Sequence, residues 1–253
     1  KNVLAHLQET SRKFGVDYVT IKSELRMFQD ENILTQFVKQ SGDTWWHGFQ
    51  HGMGMICHAA PIAWLLGIST LYFASSFTVL DKGKVTCASD PTIDNHIRFC
   101  GTRVIHDGYE YTRQMKVHNI VQFSEKTRMK IPLRVCWESI GGSNCCSCEK
   151  CWRTMLAIYA EGQNPNTYGF NYDRKQLAKI AKKMRYSENK MFSALRYESI
   201  QNAMKINCKK QDIPEQVQWF YDIDINNLGR APIWIKCIRK IKCWAKKVIR
   251  KVH

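Results

Sequence analysis

Sixteen residues near the middle of the chain carry the pattern C-x8-C-x2-C-x2-C, written by Cys136, Cys145, Cys148 and Cys151. Four thiols in so short a span can close a tetrahedral thiolate cage around one metal ion, and the chain must then enter and leave that cage in fixed directions. Two residues between cysteines allow a tight turn that points both sulfurs at a common centre, while the Gly141-Gly142 pair lets the longer excursion from Cys136 fold back. Spacing also selects the ligands. Cys145 leaves two residues before Cys148 and Cys146 leaves only one, which makes Cys145 the ligand and Cys146 a bystander. Zinc is the expected ion. An iron–sulfur cluster is the rival, since C-x2-C-x2-C also occurs in cluster-binding runs, although the C-x3-C-P ending of ferredoxins is missing. Buried or disulfide-bonded cysteines are the plain alternative, which this density and spacing disfavour.

A chain of 253 residues can bury a substantial core. Its eleven cysteines are odd in number, no signal peptide precedes them and the densest group has metal spacing, so a reducing, cytoplasmic compartment is expected, with the other cysteines free. The formal charge is +16, yet residues 232–253 hold eight Lys or Arg and no acid, so half the excess is local and a broad nucleic-acid-binding face does not follow. The chain opens at Lys1, not Met, which suggests a fragment.

Apolar spacing predicts a helix over 3–14, a strand over 16–21, a helix over roughly 24–39, and a helix packed on most sides over 45–66 that leads into a buried strand over 70–76. Met53 to Ala74 is apolar enough to raise a membrane span, but His58, Pro61 and Gly67 interrupt it and neither end has anchoring charges. Further on, 102–106 reads as a strand, a helix starts near Thr112, and a strand-like piece over 132–135 delivers the chain to Cys136. A helix from about 149 to 161 grows directly out of the cysteines. After the turn-rich 163–166, Asp173 caps a helical region running to about 207, where Met184, Met191, Phe192 and Leu195 are expected to pack. Alternating helix and strand predicts an α/β domain with a parallel sheet.

With these pieces in order, residues 1–162 resemble the PP-loop (N-type) ATP pyrophosphatases, in the branch around 7-cyano-7-deazaguanine synthase. The cysteine spacing carries the resemblance, followed by Trp152-Arg153-Thr154-Met155; weaker matches are Trp46-His47-Gly48, Ser75-Ser76, Ser89-Asp90-Pro91-Thr92-Ile93-Asp94 and His106-Asp107-Gly108 before Arg113 and Lys116. The family's phosphate loop, Ser-Gly-Gly-x-Asp-Ser after the first strand, is absent from these residues, and Cys146 stands where relatives often have Gly. The resemblance implies an adenine nucleotide alpha hydrolase-like sheet, incomplete at its N-terminus because the loop lies upstream of Lys1. It further implies a zinc site and, in the full-length enzyme, ATP with Mg²⁺, used to adenylate a carboxylate or carbonyl of a small molecule for attack by nitrogen.

Arg113 and Lys116, at a helix start, are the candidates for the nucleotide phosphates. Ser75, Ser76, Asp90 and Asp94, at strand ends, are candidates for substrate or Mg²⁺, with helix capping as the ordinary role of the aspartates. His106, Asp107 and Glu110 could move protons. His47, His51 and His58 share a helical face, although close packing through Gly48 and Gly52 explains that helix better than metal does. The expected organisation is a pyrophosphatase-like domain over 1–162, a helical appendage over 163–231 and a basic amphipathic helix over 232–253. That last helix suits an anionic membrane surface, with nucleic acid competing through the same charges. A non-catalytic, zinc-stabilised module binding a partner or membrane is the alternative to the enzyme.

Overall fold

The computed structural model describes residues 2–136, 138–139, 141–187, 194–238 and 240–241. Met191, Phe192, Arg239 and residues 242–253, including most of the expected basic helix, lie outside the described residues. The chain divides into two compact units, one of residues 7–112 and the other joining the first six residues to the chain from Arg113 onward.

In the first unit, α1 (Asn2–Phe14), which begins in the other unit, appears where its periodicity places it. The strand expected over 16–21 does not form: the backbone is extended, but no neighbouring strand among the described residues pairs with it, and Val16, Val19 and Ile21 stay exposed. The single helix expected over 24–39 is two, α2 (Leu25–Phe28) and α3 (Glu31–Phe37). Asp30 makes the break, because its carboxylate accepts from the N–H groups of Asn32 and Ile33 at 3.0 and 3.1 Å and so starts a new helix.

The run expected over 45–66 is helical but changes pitch, from a π-turn (Trp46–Gln50) through α4 (His51–Ile56) and a 3₁₀ turn to α5 (Ala60–Leu65). It is not packed on most sides. Gly52, Ile56 and Ala63 are buried, while Phe49, Met53, Met55, Trp64, Leu65 and Leu66 are exposed. Gly52 is where the run comes closest to its surroundings: a Cβ there would sit 2.5 Å from Asp94 Oδ1 and 2.9 Å from the Ala88 carbonyl oxygen.

Among the described residues, three strands form one mixed sheet in the order β1-β3-β2. β1 (Thr70–Ala74) runs parallel to β3 (Thr102–Asp107), with Thr70 opposite Arg103, and β2 (Arg98–Phe99), unseen in the sequence, runs antiparallel to it. Along β3, Thr102, Val104 and His106 are buried while Arg103 and Asp107 face out, the period of two expected of a strand with one covered face. β1 lies at an edge and leaves Tyr72 66% exposed, so it is not the fully buried strand its apolar run suggests. A single turn, α6 (Pro91–Asp94), precedes β2.

The second unit is built on α7 (Arg113–Thr127), α8 (Glu149–Tyr159), α9 (Arg174–Arg185), α10 (Ala194–Asn207) and α11 (Gln218–Asp222). Every residue of α8 from Cys151 to Ile158 is buried, as befits a helix at the centre of a core. Trp152 stacks on Trp219 with ring centroids 6.0 Å apart, and Leu177, Ile180 and Met184 of α9 and Ile200 and Met204 of α10 join the same cluster. Residues 132–135 form no strand: Leu133 N–H donates to the Tyr168 carbonyl at 2.9 Å and Val135 N–H to Asn144 Oδ1 at 3.0 Å, a loop and a side chain where a strand would stand. The chain is thus mixed α/β and mostly helical. Among the described residues, no helix is long and apolar enough to cross a membrane.

Candidate metal centre

The Sγ atoms of Cys136, Cys145, Cys148 and Cys151 all lie within 4.8 Å of one another. Cys136 and Cys148 are 4.0 Å apart and Cys145 and Cys151 3.9 Å. A tetrahedral zinc thiolate with ~2.3 Å bonds places its sulfurs ~3.8 Å apart, so the cage has the size zinc requires. Cys136, Cys148 and Cys151 are buried and Cys145 is part-exposed. These four are the set the spacing selected. Cys146 turns aside, its thiol 3.7 Å from the Asn144 carbonyl oxygen.

Local chemistry explains the turn. Cys146 holds φ of +49°, the left-handed region that glycine enters at least cost. That backbone swings the chain so that Ser147 N–H reaches Cys145 Sγ at 3.4 Å and Cys151 N–H reaches Cys148 Sγ at 3.5 Å. Cys148 is therefore both a prospective ligand and the N-cap of α8. Burial works against a thiolate at Cys145, but hydrogen bonds from Ser147 and from Cys136 and Cys148 win and lower it to about 7. Burial pushes Cys148 up to about 11 and raises Cys151 further. Buried thiols of this kind ionise readily only beside a cation, so the donor set fits a divalent metal.

Asn144, which the sequence reading passed over, joins the cage to the chain entering it. Its Oδ1 accepts from Val135 and Cys136 N–H at 3.0 and 3.3 Å, and its Nδ2 donates to the Leu133 and Gly169 carbonyls at 2.8 and 2.9 Å. Gly169 has φ of +84°, and a Cβ there would meet the Leu133 oxygen at 3.0 Å. An Asn beside the first Cys of a close pair was the available signal, but its partners at 133 and 169 were not readable from spacing.

The remaining candidates divide between the two units. In residues 7–112, Ser75 and Ser76 follow β1, and Ser75 N–H donates to the Asp107 carbonyl at 2.9 Å. Asp90 caps α6 through Thr92 N–H at 2.9 Å, its ordinary role. Asp94 and His106, weighed for different tasks, come together: His106 Nδ1 lies 2.7 Å from Asp94 Oδ2, which also accepts from Ser89 Oγ at 2.9 Å. Both side chains are sealed from solvent, and among the described residues His106 Nε2 and Asp94 Oδ1 have no hydrogen-bond partner. Asp107 and Glu110 are exposed. His47 pairs with Asp43 at 2.8 Å, His51 lies 3.7 Å from the Cys87 thiol and His58 bonds the Gly54 carbonyl, so these histidines have separate partners.

In the other unit Arg113 opens α7 and Lys116 lies one turn on. Burial, and then the charge of Arg153, lower the Arg113 guanidinium to about 10 against the pull of Glu149, with Arg196 adding to the repulsion.

Neither family models nor curated proteins nor solved structures offer a match to this chain. The cysteine cage therefore stands on its own geometry. Among the described residues it is the group of His, Cys, Asp or Glu side chains arranged to hold a metal ion.

Proposed function

We propose that the chain is the zinc-bearing part of an ATP-dependent adenylating enzyme of the PP-loop pyrophosphatase type, which activates a carboxylate or carbonyl oxygen of a small molecule for attack by nitrogen. The observation that carries the reading is the four-sulfur cage in the order C-x8-C-x2-C-x2-C. Four thiolates complete a tetrahedron and leave no position for substrate, so zinc here is structural: it holds the start of α8. A supporting observation is Arg113 at the start of α7. Asp94, enclosed by Ser89, His106 and Gly52, leaves no space for a hydrated magnesium ion, and no step through that ion is assigned to it.

Two measurements test the reading. Elemental analysis should find one zinc per chain, retained in Cys146→Ser and lost in Cys148→Ser; iron, or no metal in carefully purified protein, removes the zinc assignment. The complete gene product should exchange pyrophosphate into ATP; no exchange removes the reaction, and exchange unaffected by Arg113→Ala with Lys116→Ala removes the phosphate-binding role of these two residues.

A second reading, a non-catalytic module resting on an anionic membrane, is favoured by Ile233, Trp234 and Ile238. These are exposed on a helical stretch over 233–238 beside Lys236. Flotation with anionic but not neutral vesicles, abolished by deleting 232–253, is its expected signature.

A further inference from the structure

The C-terminal ends of α8 and α10 meet beside the start of α9. Asn207, the last residue of α10, donates its Nδ2 to the Ala160 carbonyl at 3.0 Å, and the next residue, Cys208, brings its thiol to the Tyr159 carbonyl at 3.3 Å. Between these ends and α9 lies a cleft of about 550 Å³, the size of a small-molecule site. Tyr159, Tyr172, Asn164, Asn166, Asn207 and Asp212 line it, and all belong to the unit that begins at Arg113.

The hydrogen-bonding groups of this lining are fixed in orientation yet only partly used. The phenol oxygens of Tyr159 and Tyr172 lie 2.6 Å apart. Burial pushes Tyr159 up, and burial followed by the neighbouring phenol pushes Tyr172 up, so both keep their protons near neutrality. One of the two protons fills the bond between the oxygens, and the other has no acceptor among the described residues. Asn166 Nδ2 donates to the Tyr172 carbonyl at 3.3 Å, and Asn207 Nδ2 is held by the Ala160 carbonyl. Each of these amides therefore turns out an Oδ1 that accepts from nothing among the described residues. Asn164 is set the other way: its Oδ1 accepts from Asn166 N–H at 3.0 Å, which leaves its Nδ2 as a donor. The Asp212 carboxylate, exposed at the edge, adds an acceptor with no ion-pair partner among the described residues.

Charge narrows what can bind. The ends of α8 and α10 are the negative ends of their dipoles, and with Asp212 they disfavour an anion. Arg174, also on the wall, already faces Glu215 at 3.4 Å, and Asp173 is engaged as the N-cap of α9. A single carboxylate is too little for a polycation, and an apolar guest would strand the amide and phenol groups without water. We propose that this cleft binds a neutral polyol of monosaccharide size. Each hydroxyl of such a ligand both donates and accepts, which matches a wall where two amide oxygens and a carboxylate alternate with an amide N–H and a phenol proton. The C–H faces of a sugar ring also pack on flat phenol rings, whose hydroxyls remain available at the edge. The site stands on geometry within 159–214 and requires neither the proposed reaction nor the metal for its chemistry.

The test is titration of the 253-residue chain, followed by NMR, with glucose, galactose, mannose and N-acetylglucosamine in turn, each up to about 20 mM. At least one of the four should saturate at one per chain. Tyr159→Phe with Tyr172→Phe keeps both rings and removes both hydroxyls, and should weaken that sugar about tenfold; Asp212→Asn, at an exposed position, should weaken it about threefold or more. Glu198→Gln makes the same change of charge at an exposed position outside the cleft and should alter affinity less than about twofold. A melting transition measured on each variant separates lost binding from lost folding, and Asp212→Asn carries the test by itself if the double phenylalanine variant does not fold. Saturation by none of the four sugars in a chain that melts cooperatively, affinity unchanged in Asp212→Asn, or an equal loss in Glu198→Gln would each overturn the proposal. Spermidine or inorganic phosphate displacing the bound sugar at equal concentration would overturn the choice of a neutral ligand. Sugar binding by a complete gene product that performs no ATP–pyrophosphate exchange keeps this site and removes the adenylating reaction.

Discussion

Asn144 uses one short amide to satisfy four backbone groups, two N–H and two C=O, around the entry to the cysteine cage. Asn144→Ala leaves those groups without their partner in a buried setting, at a cost of about 3 kcal/mol, and the melting temperature should fall by roughly 6–12 °C. Gly52→Ala is expected to destabilise by about 1–3 kcal/mol in a denaturant titration, because its methyl group would meet Asp94 and the Ala88 carbonyl, and neither is a flexible chain end that can move aside cheaply. The four-cysteine cluster was legible in the sequence because its information is local: three spacings within sixteen residues decide which sulfurs converge. Asn144 was not, since its partners include Gly169, and the Asp94–His106 pair was not, since it depends on how α6 meets β3. A melting curve for Gly52→Ala indistinguishable from that of the parent would show that this close approach can relax.

At the scale of the element, α8 begins at Cys148, which both caps the helix and belongs to the four-cysteine group arranged to hold a metal ion. Removing metal with a chelator should therefore do more than empty a site. The Cys148 sulfur that accepts from Cys151 N–H is released along with it, and the melting transition should drop by about 10 °C or more, with restoration on adding zinc back. A chelated chain that melts at the original temperature would show that the core holds α8 unaided. For contrast, α9 starts with a capping box in which Asp173 accepts from Gln176 N–H and Gln176 reaches back to Asp173 N–H. Asp173→Ala should cost about 1 kcal/mol, a shift of roughly 2–4 °C, and leave metal content unchanged. Helices with caps and a clear 3.6-residue pattern were readable. The failures, 16–21 and 132–135, have strand-forming composition, but a strand exists only if another strand lies beside it, and that is decided far away along the chain.

On the scale of the whole molecule, the sequence suggested a domain ending near 162 followed by an appendage, while the compact units meet at Thr112 and Arg113. The four cysteines of the candidate metal centre, α8 and the Trp152–Trp219 stack all belong to the unit that begins at Arg113. Hydrogen exchange is expected to follow that division. On chelation, amides of 145–159 and their neighbours in α7 and α10 should exchange at least tenfold faster, while those of β1 and β3 change less than about twofold. Equal acceleration in both sets would mean that the metal stabilises the two units together. The burial of α8 on every side has one more consequence, for the fate of the chain in a cell. A helix that begins in the candidate metal cage and presents Trp152, Met155, Leu156 and Ile158 to the core would turn these same residues into an adhesive surface wherever an expected metal is missing. If the cage is loaded in the cell, metal supply is expected to govern yield as well as stability: a starved cell would lose this protein to aggregation and proteolysis before it accumulated an empty form.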